Sequence, residues 1–269
     1  MIHYETLVNP RSYASGSGHP ITSPLRWENP AMTTGMSPKG KARLAGALYL
    51  LTIVFAAVGT SAENRYVLLG DAAATANNFL VHAAQIRIGW AGYLIEMACN
   101  IGMTAVLYDL LKPAGRSVAR ASVLFALTAI IIKTASRVFL IAPFFLLGTH
   151  DALSPFAGPA GLALSHAFLH LNTQGAGLAM VFFGVYAILS GYLIFRSTFL
   201  PHFLGWLSVI AGLGWLTFLW PPLGFRYGGI VAIAALIGAA AKIGWLLIVG
   251  VNEERWLAQE RGEAQSIWA

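Results

Sequence analysis

Long apolar stretches alternate with short polar ones along most of the chain. A helix needs about 20 apolar residues to cross ~30 Å of hydrocarbon, and six stretches come near that length. Lipid offers no hydrogen-bond partner to an open backbone, so each stretch is expected to be a helix. The predicted spans are about 43–62, 87–111, 119–147, 164–195, 203–221 and 227–251.

This pattern predicts an all-α fold, a polytopic membrane helix bundle of about six transmembrane helices over residues 39–251. Composition agrees, because only 10% of the residues are charged, against about 25% in soluble domains. The lipid bilayer is therefore the expected surrounding. The net charge of +6 would suit nucleic acid, but the basic residues form no stripe or patch, so no nucleic-acid partner is expected.

Two flanking segments lack long apolar stretches. Residues 1–38 are rich in Ser, Gly, Pro and Thr and are predicted to be a disordered leader. A second hypothesis is that translation starts at Met36 and the leader is not made. Residues 252–269 are predicted to be a C-terminal tail.

The distribution of Lys and Arg between the short loops predicts the orientation. About nine basic residues fall on one side of the spans and three on the other, so both termini are expected in the cytoplasm. The nine are Lys39, Lys41, Arg43, Lys112, Arg116, Arg120, Arg196, Arg255 and Arg261, and the three are Arg65, Arg87 and Arg226.

The two longer loops on the other side differ in character. In the first, Gly70 and Asp71 are typical of a turn and an N-cap, which predicts a short helix through Ala84. The second, "GTHDALSPFAGPAGLAL", contains two prolines and several glycines and is expected to be irregular.

Ionisable residues inside the spans are costly in lipid and usually face a partner or a cavity. Glu96 and Asn100 lie four residues apart, as do Lys133 and Arg137, so each pair shares a helix face. A short turn joins their two helices, which should pack antiparallel. Matching the span midpoints at about 1.5 Å of rise per residue predicts Glu96 opposite Arg137 and Asn100 opposite Lys133.

This arrangement leaves more positive than negative charge in the membrane. Lys242 can extend its side chain toward the interface. Lys133 then faces a neutral Asn and is either uncharged or able to bind an anion. The structural alternative is that the Glu96 and Arg137 ion pair only fixes the register of the two helices.

The fourth span opens with a polar segment, "LSHAFLHLNTQGAG". His166 and His170 are spaced to present two imidazoles to one metal, with Glu96 as the available third ligand. The simpler alternative is that these polar residues lie at a helix end in water. Neither a metal nor a cofactor is expected. A third interpretation makes His166, His170, Asn172 and Gln174 the mouth of a cavity that leads to Arg137.

Several stretches carry a family resemblance. They include "KGKARLAGALYLLTIVFAAVG", "GDAAATANNFLVHAAQIRIGWAGYLIE" and, most specifically, "GYLIFRSTFLPHFLGWL" at residues 191–207. The chain resembles the bacterial integral-membrane domain-of-unknown-function 4386 family from about Lys39 to about Gly250. The resemblance implies a multi-pass protein of the cell inner membrane but supplies no activity. The leader before Met36 departs from the family pattern.

Three functions follow from these features. The favoured one is binding or transport of a small anionic ligand by Glu96, Asn100, Lys133 and Arg137, reached past His166, His170 and Gln174. The second is a non-catalytic accessory or scaffold protein in the membrane. The third is an intramembrane enzyme that acts on lipid or uses a metal.

Overall fold

The computed structural model describes residues 35–147 and 158–267, with only the backbone described for 263–267. Within this part the chain is helical, without strands, and from Met36 onward it forms one compact unit. The helices are α1 (Pro38–Tyr66), α2 (Ala72–Val81), α3 (Ala83–Leu111), α4 (Arg116–Leu146), α5 (Pro159–Arg196), α6 (His202–Trp215), α7 (Pro221–Gly244) and α8 (Glu253–Ile267).

In the described part of the chain, six helices are long and apolar enough to cross a membrane, which confirms the predicted bundle. They are α1, α3, α4, α5, α6 with the 3₁₀ turn Leu216–Leu219, and α7 with the π-helical turn Trp245–Val249. The protein is thus a multi-pass membrane protein. The predicted leader lies almost entirely outside the described residues.

The six spanning helices form a closed ring. Each packs against the next in the order α1, α3, α4, α5, α6, α7, and α7 with its π-helical turn returns to α1. Small residues permit the closest contacts, as expected in lipid. A Cβ added at Gly184 would lie 2.8 Å from the carbonyl oxygen of Gly212, and one at Gly191 would lie 2.7 Å from that of Gly205.

One end of the ring, called the inner end here, is covered by α8. Trp256 Nε1 donates to the carbonyl oxygen of Leu110 at 2.8 Å, and Gln259 Nε2 donates to that of Arg196 at 3.0 Å. The segment predicted as a tail is therefore a helix packed on the bundle. The inner end carries the larger group of basic residues, and its cytoplasmic location remains a prediction.

The opposite, outer end carries α2. Asp71 caps this helix by accepting from Ala74 N at 2.9 Å, which confirms the predicted cap, and the helix ends at Val81. The second outer loop differs from expectation, since Pro159 occupies the first turn of α5. Proline suits that position because its missing N–H would have no helical partner there. Residues 148–157 of this loop lie outside the described part.

Candidate functional site

Four buried or partly buried side chains form a hydrogen-bonded group near the outer end, called the outer cluster. Its members are Glu63 of α1, Tyr93 of α3, Arg137 of α4 and Asn172 of α5. Arg137 Nη1 donates to Glu63 Oε2 at 3.1 Å and to Asn172 Oδ1 at 2.9 Å. Asn172 Nδ2 donates to Glu63 Oε1 at 2.7 Å. Four helices are thereby joined around one ion pair.

Aromatic residues of α3 complete the surroundings of Arg137. The Tyr93 hydroxyl donates to Glu63 Oε2 at 2.6 Å, and the Tyr93 ring lies under the guanidinium with 3.7 Å between Cζ and the ring centroid. Trp90 Nε1 donates to the Arg137 carbonyl oxygen at 3.0 Å. The ring of Tyr93 can lie this close to α1 because residue 59 is glycine, where a Cβ would meet it at 2.7 Å.

The predicted pairing of Arg137 with Glu96 is wrong. The first span was expected to end near residue 62, whereas α1 continues to Tyr66 and brings Glu63 inside the bundle. One signal in the sequence was available: Gly59 and Glu63 lie four residues apart and share a helix face. That face meets Tyr93 and Arg137.

Glu96 instead pairs with Lys133, with 2.5 Å between Oε1 and Nζ. The expectation that Lys133 faces Asn100 and lacks a countercharge is therefore also wrong. The physical reason is one of length. Helices α3 and α4 start earlier than predicted, so their midpoints fall near residues 97 and 131 rather than 99 and 133. Each midpoint moves by about two residues, and together the two changes alter the register between α3 and α4 by about one helical turn, about 5.4 Å.

A central cavity of about 190 Å³ lies inside the ring, and all six spanning helices contribute to its walls. The walls are mostly apolar, with residues such as Met103, Met180, Phe183 and Trp215. The polar residues that line it are Tyr49, Thr52, Glu96, Asn100, Lys133, Tyr186, Ser208 and Lys242. The Glu96–Lys133 ion pair lies at this wall, and the outer cluster lies one turn farther out.

Four polar side chains at the cavity have no hydrogen bond or ion pair in the described part of the chain: Tyr49, Asn100, Tyr186 and Lys242. The ammonium of Lys242 and the side-chain amide of Asn100 are the two of these that bear most on ligand binding. Asn100 is 6% exposed, and its Oδ1 atom is buried. The second carboxylate oxygen of Glu96, Oε2, is also buried without a hydrogen-bond partner in the described part of the chain.

The remaining predicted site residues lie elsewhere. His166 Nε2 is 2.7 Å from the carbonyl oxygen of Leu69, and its ring packs edge-on against that of His170, with the centroids 4.6 Å apart. His170 and Gln174 are exposed on the surface of α5, and Gln174 borders a separate groove. Of the segment "HAFLHLNTQ", only Asn172 reaches Arg137.

The described residues provide no third metal ligand beside His166 and His170. Among the side chains described for residues 35–147 and 158–262, no group of three or more His, Cys, Asp and Glu is arranged to hold a metal ion. Glu96, the candidate third ligand, is held by Lys133. The structure thus brings together Glu96, Asn100, Lys133 and, unexpectedly, Lys242 around the cavity.

Comparison with protein families gives one match. The family model described as "Domain of unknown function (DUF4386)" matches residues 44–250. The chain belongs to the DUF4386 family. The match includes every residue of the outer cluster and of the central cavity, so both are parts of the DUF4386 domain itself. Comparison with curated proteins and with solved structures finds no match.

Proposed function

We propose that this DUF4386 protein binds a small organic anion in the central cavity, and that Lys242 holds the acid group. The proposal rests on one observation. Lys242 borders the cavity without an ion pair in the described residues, while the cavity's other lysine, Lys133, is neutralised by Glu96. The charged residues at the wall therefore sum to one excess positive charge when Lys242 is protonated.

The cost of an unpaired cation supports this assignment. A charged side chain in the hydrocarbon region costs about 2.5–3.5 kcal/mol on insertion scales, and such residues usually face a partner or a water-filled space. A carboxylate of the ligand supplies the missing charge and a charge-assisted hydrogen bond. The mostly apolar walls favour an apolar body on the same ligand, as in other small-molecule pockets.

The surroundings of the cavity suggest where the ligand enters. The outer cluster crosses the bundle one turn outward of Lys133 and joins four of the six helices. A ligand therefore reaches Lys242 from the inner side or from the membrane. Transport to the outer side additionally requires that the Arg137 contacts open. We place the protein in the inner membrane of a bacterium, as its family resemblance implies.

A thermal-shift measurement on the purified protein in lipid nanodiscs tests the proposal. Octanoate and decanoate serve as probes, and Lys242→Gln serves as the test variant. A ligand at 100 times its Kd stabilises the folded state by about 2.7 kcal/mol. We expect Tm of the wild type to rise with the concentration of the anion. At the same concentrations, the rise in Tm of Lys242→Gln should be at least ten times smaller.

Lys112→Gln is the matched control, because Lys112 lies at the inner end and pairs with Asp109 at 2.9 Å. This variant should respond to the anions as the wild type does. The Lys242 variant should keep or raise its ligand-free Tm, since it loses an unpaired charge. A wild type that no anion stabilises, or an equal response of wild type and Lys242→Gln, contradicts the proposal.

A further inference from the structure

We infer that the anion also carries a hydroxyl group, which Asn100 recognises, so that the cavity selects a hydroxylated organic acid. This inference rests on the proposed function and adds the substrate class to it. The observation behind it is independent of Lys242. Asn100 lines the cavity and is nine-tenths buried, and its amide has no hydrogen bond to the residues that the structure describes.

An unpaired amide in this position has an energetic consequence. A buried polar group without a partner costs about 1–3 kcal/mol. The cost is removed when a ligand supplies the partner, and a site of this kind discriminates strongly against an analogue without the matching group. The apolar neighbours of Asn100, such as Met103, offer no alternative partner.

The ligand group that contacts Asn100 is neutral. Glu96 and Lys133 already neutralise each other beside Asn100, so a second charge on the ligand would have no counterion there. A hydroxyl both donates and accepts, which complements the carbonyl and the NH₂ of the amide. The torsion of an Asn amide is broad, so either edge of Asn100 can turn toward the ligand. The unpaired Oε2 of Glu96 offers a second acceptor one helical turn away.

The helix geometry sets the spacing between the two ligand groups. Lys242 lies seven residues before the end of the π-helical turn at Val249, which is about 10 Å of rise from the inner end. Asn100 and Glu96 lie eleven and fifteen residues before Leu111, or about 16 and 22 Å. Taking Val249 and Leu111 as one level, the Cα atom of Lys242 is separated from those of Asn100 and Glu96 by about 6–12 Å along the bundle, and we infer a similar spacing of the acid and the hydroxyl. A medium-length alkyl chain with a terminal hydroxyl spans that distance.

The test compares two matched pairs of probes: octanoate with 8-hydroxyoctanoate, and decanoate with 10-hydroxydecanoate. Calorimetric titration in nanodiscs gives the Kd of each for the wild type, Asn100→Leu and Lys242→Gln. In at least one pair we expect the hydroxylated acid to bind the wild type about tenfold more tightly, as one satisfied buried amide would give. Asn100→Leu should lose this preference and keep its affinity for the plain acid.

The outcomes separate the two proposals. If plain and hydroxylated acids bind the wild type equally and both depend on Lys242, the hydroxyl inference is overturned and the anion site remains. If no acid binds, both are overturned. A preference that persists in Asn100→Leu also overturns the role of Asn100. Asn100→Ala repeats the test with a smaller side chain, should the leucine variant fold poorly.

Discussion

At the residue scale, the most constrained side chain is Arg137. It is 4% exposed, and one of its nitrogens contacts both Glu63 and Asn172. A buried ion pair of this kind adds little stability over an apolar substitute, but removal of one partner is expensive because the other charge is left without compensation. The outer cluster should therefore respond strongly to loss of Glu63.

The first prediction concerns Glu63→Gln. We expect the free energy of unfolding to fall by about 3 kcal/mol, the lower end of the range for a broken buried pair, because the Glu63 side chain is 18% exposed. Thermal unfolding in detergent measures the change. Glu254→Gln on the exposed side of α8 is the control and should leave Tm unchanged. An unchanged Tm for Glu63→Gln would show that the cluster does not hold Arg137.

A double-mutant cycle tests the pairing of Glu96. We expect Glu96→Gln and Lys133→Met to be coupled by about 1–3 kcal/mol, because the two charged atoms are in direct contact. The cycle of Glu96→Gln with Arg137→Gln should give a smaller coupling, since Arg137 contacts Glu63 instead. A larger coupling in the second cycle would support the pairing obtained by simple depth matching.

These charged residues also mark how far the sequence can predict the site. Glu96, Lys133 and Arg137 stand out because each interrupts an apolar run. Their partners could not be predicted, because a depth error of four residues exchanges one partner for the next. Lys242 was expected to extend toward the interface, and its place at the cavity depends on which face α7 turns inward.

At the scale of elements, the six spans follow from hydropathy, and their ends do not. The polar residues Glu63, Asn64 and Arg65 end the apolar run, yet α1 continues through them to Tyr66. Hydrogen bonds from Arg137, Tyr93 and Asn172 to Glu63 satisfy its carboxylate inside the bundle. The hydropathy of one segment contains no information about hydrogen-bond partners on other helices.

The contact between α4 and α5 provides a prediction at this scale. A Cβ at Gly175 would lie 2.7 Å from Ser136 Cβ, so Gly175→Val should force the two helices apart. We expect a loss of about 1–3 kcal/mol in stability, as for other overpacked contacts. The loss should include the Arg137–Asn172 hydrogen bond, since Asn172 lies one turn from Gly175 on α5.

Gly229→Val is the matched control for this variant. Gly229 lies on the exposed side of α7, with no atom within 4 Å of the added Cβ. Thermal unfolding of both variants in the same detergent gives the comparison. Equal Tm values for the two variants would mean that close packing at Gly175 does not hold α5 against α4.

At the scale of the whole molecule, orientation in the membrane is a prediction with a direct test. Ser117 is exposed at the inner end and Asn77 is exposed on α2 at the outer end. In a Cys99→Ala background, we expect a membrane-impermeant maleimide to label Asn77→Cys on intact cells or spheroplasts. Ser117→Cys should be labelled only after the membrane is opened. The reverse pattern would contradict the distribution of Lys and Arg as a guide to topology.

The whole bundle is a ring of six helices with a mostly apolar cavity at its centre, which a few polar side chains border, and an ion-pair cluster on its outer side. The number of apolar spans predicts a bundle of six helices, whereas the closed ring depends on the contact between α7 and α1. Hydropathy does not predict the cavity, because side chains from all six helices, Met103, Phe183 and Trp215 among them, line it together. Which polar groups border the cavity without a partner, Lys242 and Asn100 among them, depends on the helix faces that turn inward.

Solid-state NMR can measure the central contact, which is between Lys242 and the acid group of a ligand. The sample is the protein in lipid with ¹⁵N at lysine Nζ, mixed with octanoate labelled with ¹³C at the carboxyl carbon. A charge-assisted hydrogen bond predicts a nitrogen-to-carbon distance of about 3.5 Å, seen as strong dipolar dephasing that disappears in Lys242→Gln. No dephasing, or dephasing that persists in the variant, would contradict an anion site at Lys242.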